Sequence, residues 1–424
     1  VYKRQTEDRV VVTARLVEPG ADLLYFHKAN DTEVDVCRID ARFYLTHIDD
    51  LAQGRLPSGV ERIERREYRH TPVSDARLQA AVRDDGYNES RDEPGQDTRP
   101  GPLFRDAASK QQFDRDGYVI IDLLESGDVA ALRALYDGLE NAATPDGGFQ
   151  VSLDNTSSDF VRHVRDAIVN VVADRVAEHF EDHQLFTASF VTKTPDPAGI
   201  VPPHQDWTFV DERRYFSATI WCPLVDVDAD NGGLGMVKGS HRLYGHVRPS
   251  PSPQYRPPFA DQLAGLFPYL TISSLEAGQA IVFDNRTLHG SPPNTSAGLR
   301  LACGIGITHR DAELRHYYLL PHRDRPQVEG FRIDPEFFCH YNNARLSHLH
   351  ALGKPPQGAR SFGIYALEHA AYTTPELVAA IEALGNVADD SLMARVAPLL
   401  EAMRQDDVAD PDLHDPASDD RPFW

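Results

Sequence analysis

Three residues of this 424-residue chain have the types and spacing of a metal site. His204 and Asp206 stand two apart in Pro202-Pro203-His204-Gln205-Asp206-Trp207. On a strand, residues two apart share a face, so both can ligate one ion. His289, in Asp284-Asn285-Arg286-Thr287-Leu288-His289-Gly290-Ser291, offers a third donor just after an expected strand, Ala280–Phe283. Two imidazoles and one carboxylate on one side of an octahedral Fe(II) leave three positions open, the arrangement non-haem iron chemistry uses for a cosubstrate and O2. Arg300 follows in an expected strand, Leu299–Thr308, where its guanidinium can grip a distal carboxylate through paired hydrogen bonds. Ser291 can add one more. An isolated His-x-Asp says little in a chain with 18 His and 65 Asp+Glu. Its conjunction with a strand-borne His and a downstream Arg is what points to a metal.

With Asn231-Gly232-Gly233-Leu234, Lys238-Gly239-Ser240-His241, Asn294 and the opening Phe113–Leu124, these motifs make residues 104–320 resemble the phytanoyl-CoA dioxygenase family. The resemblance implies an iron(II)/2-oxoglutarate-dependent dioxygenase on a double-stranded β-helix, a cupin-like jelly roll. It implies iron ligation by His204, Asp206 and His289, with Arg300 and Ser291 on the C5 carboxylate of 2-oxoglutarate. Trp221, in the expected strand Ala218–Leu224, matches a family Trp beside the cosubstrate, and Lys193 or Thr192 a second contact. Hydroxylation of a small-molecule metabolite, with release of succinate and CO2, is the implied reaction. Halogenases of this superfamily lack the ligating carboxylate, so Asp206 argues against that route. Gly235 departs from the family pattern, which often has a larger residue there.

Other readings of the same residues are a non-oxidative metal-dependent cupin-like enzyme and an inactive binding module on the same fold. His241 has a turn-associated, structural reading. Gln205, Trp207 and Phe209, with Thr208 and Asp211, follow the first ligand and are expected at the pocket mouth, where they would meet the substrate.

The elements that must position this constellation are mainly β with flanking helices. Residues 1–82 read as a β-rich accessory region with strands Arg9–Val17, Leu23–His27, Val34–Ile39 and Ala41–His47. Residues 83–102, dense in Gly, Pro and charge, read as a linker or mobile loop. Residues 103–320 form the expected oxygenase core. It opens with two helices, one capped by Ser126 and one over Asp159–Phe180, and continues in short strands separated by Gly/Pro/Asn turns. Residues 321–424 read as a mostly helical extension, with helices after Thr374-Pro375 and over Asp389–Arg404 and an acidic tail from Asp406.

Lys+Arg 43 against Asp+Glu 65 gives a net charge of −22. A nucleic acid or an anionic membrane would be repelled by that field, so the partner expected is a small molecule; a homo-oligomer is compatible. No apolar run approaches the roughly 20 residues of a membrane span. The start shows no basic-then-apolar signal pattern. Cys37, Cys222, Cys303 and Cys339 lie far apart without a CxxC pair, as expected of reduced, buried thiols in a cytoplasmic protein.

Overall fold

A computed structural model describes residues 23–29, 33–40, 43, 47, 56–58, 60–67, 104–139, 148–252, 254–321, 326–369 and 372–409. The chain divides into two units, Val1–Gly95 and Gln96–Trp424.

In the first unit, β1 (Leu23–Lys28), β2 (Glu33–Ile39) and β3 (Glu61–Glu67) pair antiparallel in the order β1-β2-β3. The first two strands were legible from their alternation. The third, Glu-Arg-Ile-Glu-Arg-Arg-Glu, was not, because cross-strand charge pairs hold it rather than an apolar face. Arg65 grips the buried Asp35 through bonds of 2.7 and 2.9 Å, and Arg38 faces Glu61 at 2.9 Å. The expected strand Ala41–His47 is corrected at its described residues. The His47 N–H donates to the Phe43 carbonyl at 3.0 Å, a helical turn. Arg9–Val17 lies outside the described residues.

The second unit opens with a helix, Ala107–Asp116, ended by Gly117 in the left-handed region at φ 79°. A Cβ there would come within 2.4 Å of the His241 ring and 2.7 Å of Thr287 Oγ1, so only glycine fits. This gives His241 its structural role: it backs the turn into β4 (Tyr118–Asp122). There follow β5 (Phe149–Val151), β6 (His183–Lys193), β7 (Val201–His204), β8 (Ser217–Pro223) and β9 (Gly235–Met236). The set is completed by β10 (Thr271–Ile272), β11 (Gln279–Asp284), β12 (His289–Ser291) and β13 (Arg300–His309). One antiparallel sheet runs β4-β11-β8-β13-β6-β5 and the other β10-β9-β12-β7. From β6 to β13 the chain winds back and forth between them, with β6, β8, β11 and β13 in the larger sheet and the rest in the smaller. That winding is a jelly roll.

Period-two alternation gives the larger sheet two apolar faces. Its outer face, with Phe190, Ile220, Cys222, Val282, Cys303 and Ile305, packs on Leu132, Val164, Ile168, Val172 and Val176. Those residues recur at helical spacing in the helices Ser126–Asp137 and Ser158–His179. The first of these helices is capped by Glu125, not by Ser126 as expected; the Asp128 carboxylate accepts from the Glu125 N–H at 3.1 Å. The inner face, with Trp221, Ile281, Phe283 and Ala302, meets Leu234 and Met236. Gly235, between those two, lies where a Cβ would approach Ile272 to 2.4 Å. Ile272 already fills the space a larger residue would take.

Past the jelly roll, β14 (Arg315–Leu319), β15 (Gln327–Arg332) and β16 (Arg360–Ala366) form a third antiparallel sheet. This corrects the mostly helical reading of residues 321–424. Helices do occupy Glu336–His340, Asn343–Ala351, Thr374–Ala383 and Asp390–Ala409. Residues 406–409 of the expected acidic tail are helical, and the remainder lies outside the described residues. All four cysteines are free and buried. No described helix is long and apolar enough to cross a membrane.

Candidate metal centre

The smaller sheet brings the two candidate imidazoles together. His289 on β12 is the direct cross-strand partner of His204 at the end of β7, with ring centroids 4.2 Å apart. Asp206 lies beyond the end of β7, so the shared face assumed for His204 and Asp206 is not that of a continuous strand. A backbone bond from the Asp206 N–H to the Asn285 carbonyl, 2.9 Å, turns it back toward the histidines instead. Asp206 Oδ1 then lies 3.6 Å from His289 Nε2 and 4.0 Å from His204 Nε2. One donor atom from each of the three residues falls within 4.8 Å of the others, close enough to share an ion.

Each imidazole is oriented by its other nitrogen. His204 Nδ1 bonds the Pro202 carbonyl and His289 Nδ1 the Thr287 carbonyl, both at 2.9 Å. A carbonyl accepts only, so Nδ1 carries the proton and Nε2 keeps its lone pair for a metal. Burial and the neighbouring His289 push the His204 pKa down to about 3, which keeps that ring neutral. Phe283 packs on His289 at 4.4 Å. Asp206 Oδ2 faces away from the histidines' nitrogens, accepting from Asn285 Nδ2 at 2.7 Å and Thr219 Oγ1 at 3.0 Å.

Two buried ion pairs support the metal-ligand loop. Arg248 Nε donates to the Asp206 carbonyl at 2.6 Å, while its other nitrogens hold Glu212, one of them at 2.9 Å. Arg286 binds Asp284 through bonds of 2.8 and 2.6 Å, holding the Asp284 carboxyl well below the usual range.

The same inner surface carries two cations of a different kind. Arg300 on β13 and Lys193 on β6 are cross-strand partners, 2% and 0% exposed. Among the described residues neither forms an ion pair with a carboxylate. Lys193 Nζ donates to Ser291 Oγ and the Pro292 carbonyl, both at 2.6 Å. Arg300 spends Nη1 on the Val191 carbonyl at 3.2 Å and leaves Nε without a partner. Its guanidinium lies over the rings of Trp221 (5.4 Å) and Phe149 (6.0 Å). Burial pushes Arg300 down to about 9, and burial with the adjacent Arg300 pushes Lys193 well below an ordinary lysine. Gly232, at φ 79°, lets the Asn231–Gly233 turn close over Lys193, since a Cβ would stand 2.9 Å from the Lys193 Cδ.

Between the triad and the cations, Thr219, Gly304, Val191 and Thr187 remain half-exposed beside fully buried neighbours. These inward-facing positions are adjacent in register, with Gly304 opposite Trp221 and Gly306 opposite Thr219. The donor set fits a divalent iron, and two buried unpaired cations fit the distal carboxylate of a dianion.

Six of the expected contacts lie elsewhere. Thr192 alternates with Lys193 and so faces the helix side, bonded to the Gln150 carbonyl at 3.4 Å. Gln205 turns its amide to the carbonyls of Arg286 (2.5 Å) and Tyr244 (3.3 Å), inside the scaffold. Trp207 packs edge-on to His316 at 5.7 Å, and Phe209 packs on Phe186 at 5.0 Å and Phe338 at 5.6 Å. Both belong to the aromatic cluster beneath β14–β16. Asp211 pairs with Arg213 and Arg315, and Thr208 Oγ1 accepts from the Arg248 N–H. Ser291 reaches the anion end through Lys193. Asn285, Thr219, Arg248, Glu212 and Phe149 had no role in the motif reading.

A jelly roll that gathers two His and one carboxylate on its inner surface offers the donor set of a facial triad. Residues 113–302 match the family model described as phytanoyl-CoA dioxygenase, which bears out the resemblance read from the motifs. No curated protein matches the chain as a relative. Among solved structures, it is similar to HygX from Streptomyces hygroscopicus with nickel and 2-oxoglutarate bound, at 16% identity and TM-score 0.36. That match covers 48% of this chain and 86% of HygX. The epimerase SnoN from nogalamycin biosynthesis matches at 22% identity and TM-score 0.33, over 48% of this chain and 82% of that one. The carbocyclase SnoK from the same biosynthesis matches at 21% identity and TM-score 0.36, over 51% and 90%.

Proposed function

We propose that this protein is a non-haem iron(II)/2-oxoglutarate-dependent dioxygenase that hydroxylates a small-molecule metabolite. One observation carries the reading. A three-residue donor set and two buried basic side chains lacking carboxylate partners lie on one inner surface. His204, Asp206 and His289 would hold Fe(II), with O2 and 2-oxoglutarate as cosubstrates. Bound there, iron supplies the redox chemistry that couples cosubstrate decarboxylation to insertion of oxygen into a substrate C–H bond, yielding alcohol, succinate and CO2.

The chain's own residues bind and orient. Arg300 would accept the C5 carboxylate, with Lys193 supplying further positive potential and Ser291 fixing the Lys193 ammonium. The rings of Trp221 and Phe149 pack near the guanidinium as cation–π partners. The Pro202 and Thr287 carbonyls keep both imidazoles presenting Nε2. The phytanoyl-CoA dioxygenase match over residues 113–302 supports the reading. The net charge of −22 favours a small-molecule substrate over a polyanion, and four free, buried thiols suit a reducing, cytoplasmic setting.

The test is anaerobic addition of Fe(II) and 2-oxoglutarate. A visible metal-to-ligand charge-transfer band is expected, absent from His289→Ala. A well-folded, iron-loaded protein that shows no band contradicts the proposal.

A further inference from the structure

Asp206 is held at four points, and only one of its atoms is left for a metal. Its N–H donates to the Asn285 carbonyl at 2.9 Å, and its carbonyl accepts from Arg248 at 2.6 Å. Oδ2 accepts from Asn285 Nδ2 at 2.7 Å and Thr219 Oγ1 at 3.0 Å. A carboxylate oxygen presents about two lone-pair sites, and these two donors occupy both. The donors also brace each other, since Asn285 Nδ2 lies 2.7 Å from Thr219 Oγ1. Asn285 is fully buried, and its own Oδ1 has no hydrogen-bond partner. Rotating the amide to satisfy that oxygen would set acceptor against acceptor at Asp206. The side chain is therefore oriented by the carboxylate, at the expense of its own hydrogen bonding.

We infer that Asn285 and Thr219 are positioning residues that restrict Asp206 to a single metal-binding oxygen. This rests on the proposed iron site. With one oxygen bound, a six-coordinate ion keeps three open positions. If Oδ2 swung in as well, only two would remain, enough for a chelating cosubstrate but not for O2 beside it.

Mn(II) bound to the otherwise ligand-free protein reports the difference through water-proton relaxation. The wild type should retain about three exchangeable waters on the ion, falling to about one on adding 2-oxoglutarate. Asn285→Leu and Thr219→Val should each show about two, falling to none. Thr219→Ser, which keeps the hydroxyl, should restore the wild-type count. Melting temperatures establish that each variant is folded, and the mild Thr219→Val serves should Asn285→Leu fail to fold. An unchanged count in folded Thr219→Val overturns the inference while leaving the iron site standing. If the wild type binds no Mn(II), both fall.

Discussion

The cations of the jelly-roll interior fall into two groups. Around the candidate ligand loop, buried Arg248 and Arg286 are each matched by a carboxylate, partly buried Glu212 and buried Asp284. Toward the other end of the inner surface, Arg300 and Lys193 are at least as deeply buried but hold only carbonyl and hydroxyl oxygens. A buried charge without a counter-charge is costly. On the proposed reading, two basic groups kept side by side without a carboxylate leave a place for an anion brought from outside. If pairing marks scaffold and its absence a binding site, stability measurements will separate the two groups.

The largest effect is expected at the scaffold. Arg248→Met strands Glu212 without its partner and removes the bond to the Asp206 carbonyl, so unfolding should cost about 3–5 kcal/mol less than in the wild type. Urea titration of ligand-free protein measures it. Arg300→Met should move the other way, stabilising the ligand-free protein by about 1–3 kcal/mol because it removes an uncompensated charge. Destabilisation of similar size in both variants would erase the distinction.

A third buried base is held neutral. His316 is 1% exposed, bonds Ser250 Oγ at 2.8 Å, and is pushed by burial down to about 3. The unfolded imidazole takes up a proton below about pH 6.5, whereas the folded one does not until far lower. The unfolded state thus binds more protons across that window, and stability falls as pH drops. From pH 7 to 5 this residue should account for about 2 kcal/mol of lost stability. His316→Gln should show a shallower decline by that amount, and identical slopes would contradict the assignment. The smallest effect is expected at Phe149, where Phe149→Leu removes one of the two rings flanking Arg300 and should weaken 2-oxoglutarate binding by about 0.5–1 kcal/mol in calorimetry.

The candidate ligands were legible because their chemistry is carried by residue type and spacing. His204, Asp206, His289, Lys193 and Arg300 all reach one interior. The choice between Lys193 and Thr192 was decided by the alternation of β6, which puts Thr192 on the helix face. Trp207 and Phe209 were misplaced because β14–β16, the sheet that covers them, left no clear alternating signal. Asn285 and Thr219 lie far apart in sequence and meet only through the register of β8 with β11. No local pattern could have joined them to Asp206. In the N-terminal unit, β3 escaped notice because its partners are charges rather than apolar neighbours.

If Arg300 stands unpaired for the cosubstrate, its loss must weaken 2-oxoglutarate binding. Calorimetric titration of 2-oxoglutarate into the Mn(II)-loaded protein and into Arg300→Ala tests it most directly. The affinity should fall by about 1.5–3 kcal/mol, the worth of a charge-assisted hydrogen bond, with metal binding unchanged. Equal affinity in the two proteins would contradict the account.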